Sequence, residues 1–111
     1  MKSYIYTSYY SETPINIEHK NLKECKFDYA DRFWRDNNNK LLTGIVYDYS
    51  YQLYKKMYIE NGMLHREDGP AIIHDNNSTA FYLHNKIIGA NLKQKTFEKL
   101  KNIYYKELVF K

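Results

Sequence analysis

The sequence is poor in the residues that build disulfide frameworks, multi-cysteine zinc sites and phosphate-binding loops. Its 111 residues include a single cysteine, Cys25, which excludes an internal disulfide framework and a zinc site made of several cysteines. One thiol in a chain of this size fits a reducing compartment, so we expect a cytoplasmic protein. The four glycines, at positions 44, 62, 69 and 89, are dispersed along the chain and each falls at a predicted turn. They therefore form no glycine-rich loop that could hold a phosphate group.

Long apolar runs are also absent. No stretch approaches the roughly 20 apolar residues that a membrane-spanning helix needs. Residues 1–10 contain one lysine and are interrupted by polar side chains, which is not the pattern of a signal peptide. We therefore expect no membrane-spanning helix, and a membrane is not the favoured partner.

An excess of positive charge is present only near the C-terminus. Residues 93–111 hold six lysines and two acidic residues, whereas the other 92 residues hold 11 basic and 11 acidic side chains. The net charge of +4 therefore lies on the tail, and the rest of the chain is neutral. Such a tail is typical of the solvated face of a helix, but it could also bind nucleic acid, a membrane surface or an acidic protein.

Three segments of the chain repeat a common pattern. Aromatic residues recur at steps of 24 residues, at Trp34, Tyr58 and Tyr82, and each is followed by an asparagine turn. Residues 53–60 alternate with a period of two, as a half-buried strand does. The dipeptide Asn61-Gly62 predicts a type I′ hairpin turn, because both residues tolerate positive φ.

These patterns predict a mainly β domain of antiparallel hairpins with a C-terminal helix. The strands are expected at residues 2–10, 26–34, 43–49, 53–60, 71–74 and 79–84. Asp68-Gly69-Pro70 is expected to form a turn in which Gly69 adopts a left-handed conformation and Asp68 bonds backbone N–H groups. For the helix we expect a capping box formed by Asn91 and Gln94 and an apolar face made of Leu92, Phe97, Leu100, Ile103, Tyr104 and Leu108.

One segment resembles a known repeat. Residues 61–71 read NGMLHREDGPA, which is similar to the HRxDGPA variant of the MORN repeat found in proteins of phages and large DNA viruses. The flanking copies, from Phe33 and from Phe81, keep the aromatic residue and the turn. The resemblance covers about residues 33–100 and implies stacked β-hairpins that act as a non-catalytic binding scaffold. It divides the single predicted domain into an N-terminal strand region (1–32), MORN-like hairpins (33–90) and a capping helix (91–110).

The polar residues of this segment include candidates for a chemical site. His65 could act as a base oriented by Asp68, and His65, His74 and His84 could converge on a metal ion across adjacent strands, although their spacings match no metal motif. The favoured interpretation is structural: His65, Arg66, Asp68, Gly69 and Pro70 hold the turn and bond to the neighbouring hairpin. We therefore predict no catalytic residues, no metal and no cofactor.

The tyrosines are the best candidates for a contact surface. Five of them crowd into twelve residues, at positions Tyr47, Tyr49, Tyr51, Tyr54 and Tyr58. Some are expected to fill the core, while an exposed row would suit a protein interface or the stacking of nucleic-acid bases. Because the body of the chain is neutral, we predict a protein partner, with Lys95, Lys99 and Lys101 as secondary basic contacts on the outer side of the helix. The alternative is a nucleic-acid-binding protein that uses the lysine-rich helix and the tyrosines.

The expected partner is a host or defence protein. The sequence is rich in Lys, Asn, Ile and Tyr, all of which use AT-rich codons, and this usage together with the resemblance favours a phage or viral origin. A small non-enzymatic protein of this kind could inhibit its partner by occlusion in the host cytoplasm.

Overall fold

The computed structural model describes residues 5–8, 23–48 and 55–109, with the side chains described from residue 25 onward. In these ranges the chain forms nine strands and one helix: β1 Ile5–Ser8, β2 Lys23–Asp28, β3 Phe33–Asp36, β4 Gly44–Asp48, β5 Lys55–Glu60, β6 Met63–Leu64, β7 Ile72–His74, β8 Thr79–Leu83, β9 Lys86–Ala90 and α1 Gln94–Val109. The predicted mainly β fold with a C-terminal helix is confirmed.

The strands of the described segments form one sheet in the order β3-β2-β1-β4-β5-β7-β8-β9, and β6 pairs with β5. Most neighbouring pairs are antiparallel, as expected for hairpins. β1 is an exception, because it runs parallel to both β2 and β4. Residues 9–22 separate β1 from β2, a span long enough for the crossover that parallel neighbours require and that a tight hairpin turn cannot provide.

Two hairpin turns have the same backbone conformation. Asn61-Gly62 joins β5 to β6 with φ values of 50° and 82°, and His84-Asn85 joins β8 to β9 with φ values of 49° and 67°. Positive φ at both central residues is the mark of a type I′ turn. The type I′ turn predicted at Asn61-Gly62 is therefore confirmed.

The spacing of the aromatic residues differs by one residue from the spacing of the hairpin turns. His84-Asn85 lies 23 residues after Asn61-Gly62, whereas Tyr82 lies 24 residues after Tyr58. Since side chains alternate along a strand, an offset of one residue moves a side chain to the opposite face. Tyr82 packs against the main core, as does Trp34, while Tyr58 lies on the other side of the sheet.

The main core occupies one face of the sheet. It is built from residues of β3, β4, β5 and β7 together with Leu42, and the buried members are Trp34, Leu42, Val46, Met57, Ile59 and Ile72. Two backbone hydrogen bonds join β3 and Leu42 to the β5–β6 turn: the N–H of Trp34 donates to the carbonyl of Gly62, and the N–H of Gly62 donates to the carbonyl of Leu42. β3, at one edge of the sheet, is thereby bonded to the β5–β6 turn.

A second, smaller core holds the helix on the opposite face. Phe97 is fully buried against Phe81 and Leu83 of β8, and the centroids of the two phenylalanine rings are 4.7 Å apart. Tyr104 and Tyr105 pack against the same cluster. Ile103 and Leu108, expected on the apolar face, are 52% and 47% exposed, so the predicted packing face is partly wrong.

The start of the helix also differs from the prediction. Asn91 has a φ of 53°, and its backbone N–H and side-chain oxygen bond to Thr79 of β8. The side chain of Gln94 donates instead to Glu98 and to the carbonyl of Asp68. Asn91 therefore extends the β8–β9 pairing, and the predicted capping box does not form.

α1 is the one helix among the described residues. Among residues 5–8, 23–48 and 55–109, no helix combines the length and the apolar character needed to cross a membrane.

Candidate functional site

The face of β4 and β5 that points away from the main core carries two of the predicted tyrosines. Ile45 pairs with Tyr58 and Tyr47 pairs with Lys56 across the two strands, and all four side chains are half-buried. Val46 and Met57, between them, point into the core. We call Ile45, Tyr47, Lys56 and Tyr58 the tyrosine face. Three further candidates, Tyr49, Tyr51 and Tyr54, lie outside the described residues.

The HREDGPA segment forms a loop beside this face. β6 and β7 both pair with β5, one after the other, so the chain between them leaves the sheet. The two ends of the loop are held at Tyr58, whose carbonyl accepts from the N–H of His65 and whose N–H donates to the carbonyl of Ala71. The N–H of Arg66 donates to the carbonyl of Tyr82 and bonds the loop to β8.

The side chain of Arg66 contacts Tyr58, Asp68 and Pro70 and holds the loop together. Its guanidinium lies 4.0 Å from the centroid of the Tyr58 ring, a cation–π geometry. Its Nε donates to Asp68 Oδ1 at 3.0 Å and its Nη1 donates to the carbonyl of Pro70 at 3.2 Å. This fork holds the loop closed over the ring.

Two details of the loop differ from the prediction. The structure shows the carboxylate of Asp68 accepting from Arg66, not from backbone N–H groups as expected. Gly69 is not in the left-handed region. A Cβ at this buried position would lie 3.1 Å from the guanidinium carbon of Arg66, so a side chain there would press on the guanidinium.

His65 bonds to the neighbouring hairpin, as predicted. Its ring is 6% exposed, and Nδ1 accepts from the N–H of His84 at 2.9 Å. Because Nδ1 is an acceptor, Nε2 carries the hydrogen in the neutral ring, and it lies 2.7 Å from Glu67 Oε2 and 3.4 Å from Glu60 Oε2. Glu67, not Asp68, is thus the partner of His65.

The three histidines do not meet. The ring centroids of His65 and His84 are 4.3 Å apart, but His74 pairs with Lys55 at the far end of β5. Within the part of the chain that the structure describes, no group of three or more His, Cys, Asp or Glu side chains is placed to hold a metal ion. Burial and the neighbouring His65 lower the pKa of His84, whose Nδ1 lies 2.9 Å from the hydroxyl of Tyr104.

The helix is bonded to the loop at Glu67. The hydroxyl of Tyr105 donates to the carboxylate of Glu67, and Lys101 Nζ donates to its carbonyl at 2.7 Å. The predicted placement of Lys101 on the outer side of the helix is therefore wrong, because its side chain is 18% exposed and also pairs with Glu98. Lys95 and Lys99 are exposed, as expected.

A groove of about 410 Å³ opens between the tyrosine face and the loop. Apolar side chains form its floor and charged side chains of the loop form its rim; the lining residues are Gly44, Ile45, Tyr58, Ile59, Glu60, His65, Arg66, Glu67 and Asp68. The sequence pointed to Tyr58 and to the loop, but not to Ile45 or Glu60, whose position depends on the pairing of β4 with β5.

Two weakly acidic side chains have raised pKa values. Burial and the hydrogen bond to Glu67 raise the pKa of Tyr105, so its hydroxyl stays protonated. Burial and Asp48 raise the pKa of the Cys25 thiol to about 12, which keeps it from forming the nucleophilic thiolate at neutral pH.

Comparison with known proteins adds no relative: no family model, curated protein or solved structure matches the chain.

Proposed function

We propose that this chain is a non-enzymatic protein-binding module that engages its partner with the tyrosine face and the adjoining groove. The observation that carries the proposal is the position of Ile45, Tyr47 and Tyr58. They lie on the side of β4 and β5 opposite the main core, half-buried and beside a groove. Tyrosine side chains with an apolar body and a polar end are enriched at protein interfaces.

The architecture supports a scaffold. The side chains of His65 and Arg66 make hydrogen bonds within the molecule, and Gly69 lies in close contact with Arg66. These contacts make the loop a rigid side of the groove. A rigid binding surface favours binding, because it loses little conformational entropy on association. This arrangement agrees with the binding role implied by the resemblance to MORN-like repeats.

We further propose that the partner is a host or defence protein and that the chain is a phage or viral inhibitor that acts by occlusion. A standard interface covers roughly 800 Å² on each partner, which one face of a domain of this size can supply. The AT-rich amino-acid usage and the HREDGPA segment support this origin.

Affinity capture from the natural host, followed by calorimetry with the purified partner, tests the proposal. We expect Tyr47→Ala combined with Tyr58→Ala to weaken binding about 30-fold or more, since aromatic anchors commonly contribute 2 kcal/mol or more. The matched control is Lys95→Glu with Lys99→Glu, which should change the affinity less than about fivefold. Both variants are checked for folding by thermal denaturation. Unchanged binding by the folded tyrosine variant would refute the proposal.

A second candidate function is nucleic-acid binding, favoured by the exposed lysines Lys95, Lys99 and Lys106 of α1. Salt titration with a fluorescent DNA duplex and a single strand separates it from the first. If the three lysines neutralised three phosphates, the logarithm of the affinity would fall with a slope of about −2.7 against the logarithm of salt for the duplex. Tight binding with such a slope, lost in Lys95→Glu with Lys99→Glu, would replace the protein-binding proposal.

A further inference from the structure

The groove beside the tyrosine face has the opposite charge to the molecule. The chain carries a net charge of +4, yet three carboxylates lie at the rim of this groove, those of Glu60, Glu67 and Asp68. Arg66 is the one lysine or arginine among the lining residues, and it is already paired with Asp68. Lys56 Nζ, on the tyrosine face, lies 5.3 Å from the centroid of the Tyr58 ring. The three carboxylates outnumber these two cations, so a further cation that approaches the groove meets an excess of negative charge.

The carboxylates are accessible from solvent. The side chains of Glu60, Glu67 and Asp68 are 43%, 51% and 85% exposed. Glu67 is held in place by His65 and by the hydroxyl of Tyr105. A positioned carboxylate loses little freedom when it pairs with an incoming charge, and this favours binding.

The floor of the groove is apolar. Ile45 and Tyr58 line it, and they face each other across β4 and β5. A lysine or arginine side chain combines an aliphatic stem with a charged end, and so matches a floor of this kind below an acidic rim. Phosphate groups and other anions would be repelled by the same rim.

The chain itself contains an example of this mode of binding. The guanidinium of Arg66 packs on the Tyr58 ring and donates to the carboxylate of Asp68 in the same groove. Tyr58 and a neighbouring acid thus already hold one basic side chain by stacking and charge.

We propose that the groove binds a lysine or arginine side chain of the partner protein. The aliphatic stem lies against Ile45 and Tyr58, and the cationic end lies among the carboxylates of Glu60, Glu67 and Asp68. This inference rests on the proposed protein-binding function and specifies the chemistry that the groove recognises in the partner.

The test is an NMR titration of the isotope-labelled full chain with two peptides. The probe is N-acetyl-Leu-Arg-Leu-amide, and the matched control replaces arginine by citrulline, which has nearly the same shape and no charge. We expect the arginine peptide to shift the amide signals of Ile45, Tyr58 and Glu60 and to bind at least tenfold more tightly than the citrulline peptide. Equal affinities, shifts confined to other residues or no shifts would overturn the proposal.

Variants of the rim provide a second readout. Glu60→Gln with Asp68→Asn removes two charges at exposed positions, and we expect it to lower the affinity for the arginine peptide to that of the citrulline peptide. Glu107→Gln, at an exposed position of α1 outside the groove, should bind like the unmodified chain. An unchanged affinity in the rim variant would contradict the proposal. The comparison of the two peptides on the unmodified chain stands whether or not the variant folds.

The outcomes also separate this inference from the proposed function. If the arginine peptide does not bind but Tyr47→Ala with Tyr58→Ala abolishes capture of the partner, the groove inference fails and the protein-binding function stands. If the arginine peptide binds as expected but the tyrosine variant keeps the partner, the groove recognises a basic side chain and the proposed interface is wrong.

Discussion

Single residues decide the geometry at the β5–β6 turn. Gly62 has a φ of 82°, a conformation that side chains rarely adopt. A Cβ there would also lie 2.9 Å from a methyl group of Leu41 and 3.2 Å from the carbonyl oxygen of Trp34. The position therefore requires glycine both for its backbone angle and for the space around it.

Gly62→Val is accordingly expected to destabilise the fold by about 1–3 kcal/mol, which lowers the melting temperature by roughly 4–8 °C per kcal/mol in a domain near this size. Asn61→Gly is the matched control, because Asn61 is exposed and glycine accepts its φ of 50°. Thermal denaturation followed by circular dichroism measures both. A melting temperature that falls equally in the two variants would show that packing around Gly62 is unimportant.

The two polar residues that the sequence placed together in the loop have unequal roles. His65 is buried and accepts from the N–H of His84, whereas the carboxylate of Asp68 is exposed and pairs with Arg66. Sequence pattern indicated that both are structural. It could not rank them, because burial and the partner in β8–β9 depend on strand pairing.

His65→Ala is expected to cost about 2–3 kcal/mol, since it leaves the N–H of His84 without its acceptor and removes buried packing. Asp68→Ala should cost less than about 1 kcal/mol, as exposed ion pairs do. Urea denaturation of both variants measures the difference. The structural account of the loop fails if Asp68→Ala proves as costly as His65→Ala.

At the scale of elements, local patterns predicted most strands and the existence of the helix. The single strand expected at residues 26–34 is wrong, because a turn at residues 29–32 divides it between the antiparallel strands β2 and β3. The alternation in residues 53–60 and the Asn61-Gly62 turn located β5 and its hairpin. The side on which each aromatic residue lies was not predictable, because a shift of one residue between the two type I′ turns places Tyr58 and Tyr82 on opposite faces. The parallel pairing of β1 depends on long-range contacts that local periodicity does not encode.

The packing face of the helix was predicted only in part. Phe97 and Tyr104 pack as expected, but Lys101 and Tyr105 replace Ile103 and Leu108 because their polar ends bond to Glu67. Periodicity of apolar residues cannot detect a polar partner in a distant loop. Because Lys101 and Tyr105 take their places on the packing face, Ile103 and Leu108 of α1 are exposed.

Removal of one ring should therefore undock the helix. Phe97→Ala is expected to destabilise the protein by about 3–5 kcal/mol, the usual cost of deleting a fully buried phenylalanine ring. Ile103→Ala, on the exposed side of the same helix, should change the stability by no more than about 0.5 kcal/mol. Urea denaturation compares the two, and hydrogen exchange of the amides of α1 reports local undocking. Similar costs for both substitutions would show that the helix packs on its other face.

For the molecule as a whole, one polar cluster links the loop to the β8–β9 turn and to the helix. Glu67 bonds to His65 and Tyr105, His65 accepts from the N–H of His84, and the His84 ring bonds to Tyr104. Charge changes in this cluster therefore affect the contact between sheet, loop and helix. His84 is the member whose pKa is lowered by burial and by His65, and raised to a smaller extent by Glu67 and Glu60.

This shift makes stability depend on pH in a defined direction. The folded protein holds His84 neutral at pH values where the unfolded chain, with a histidine pKa of 6.5, takes up a proton. Stability is therefore fully present above about pH 6.5 and falls as the pH drops from there through the lower folded pKa. Asp31 and Glu98, whose pKa values are lowered mainly by bonds to Arg35 and Lys101, act in a separate window below their ordinary values of 3.8 and 4.5.

The measurement is urea denaturation from about pH 7 to about pH 5, a range that spans the ordinary histidine pKa and lies above the ordinary carboxylate values. We expect the free energy of unfolding to fall across this range, and we expect a smaller fall in His84→Asn. Asparagine accepts the φ of 49° and keeps the backbone N–H that donates to His65, so the variant removes the titrating ring and keeps the turn. Equal slopes for the two proteins would show that His84 does not couple protonation to the packing of the helix, loop and sheet.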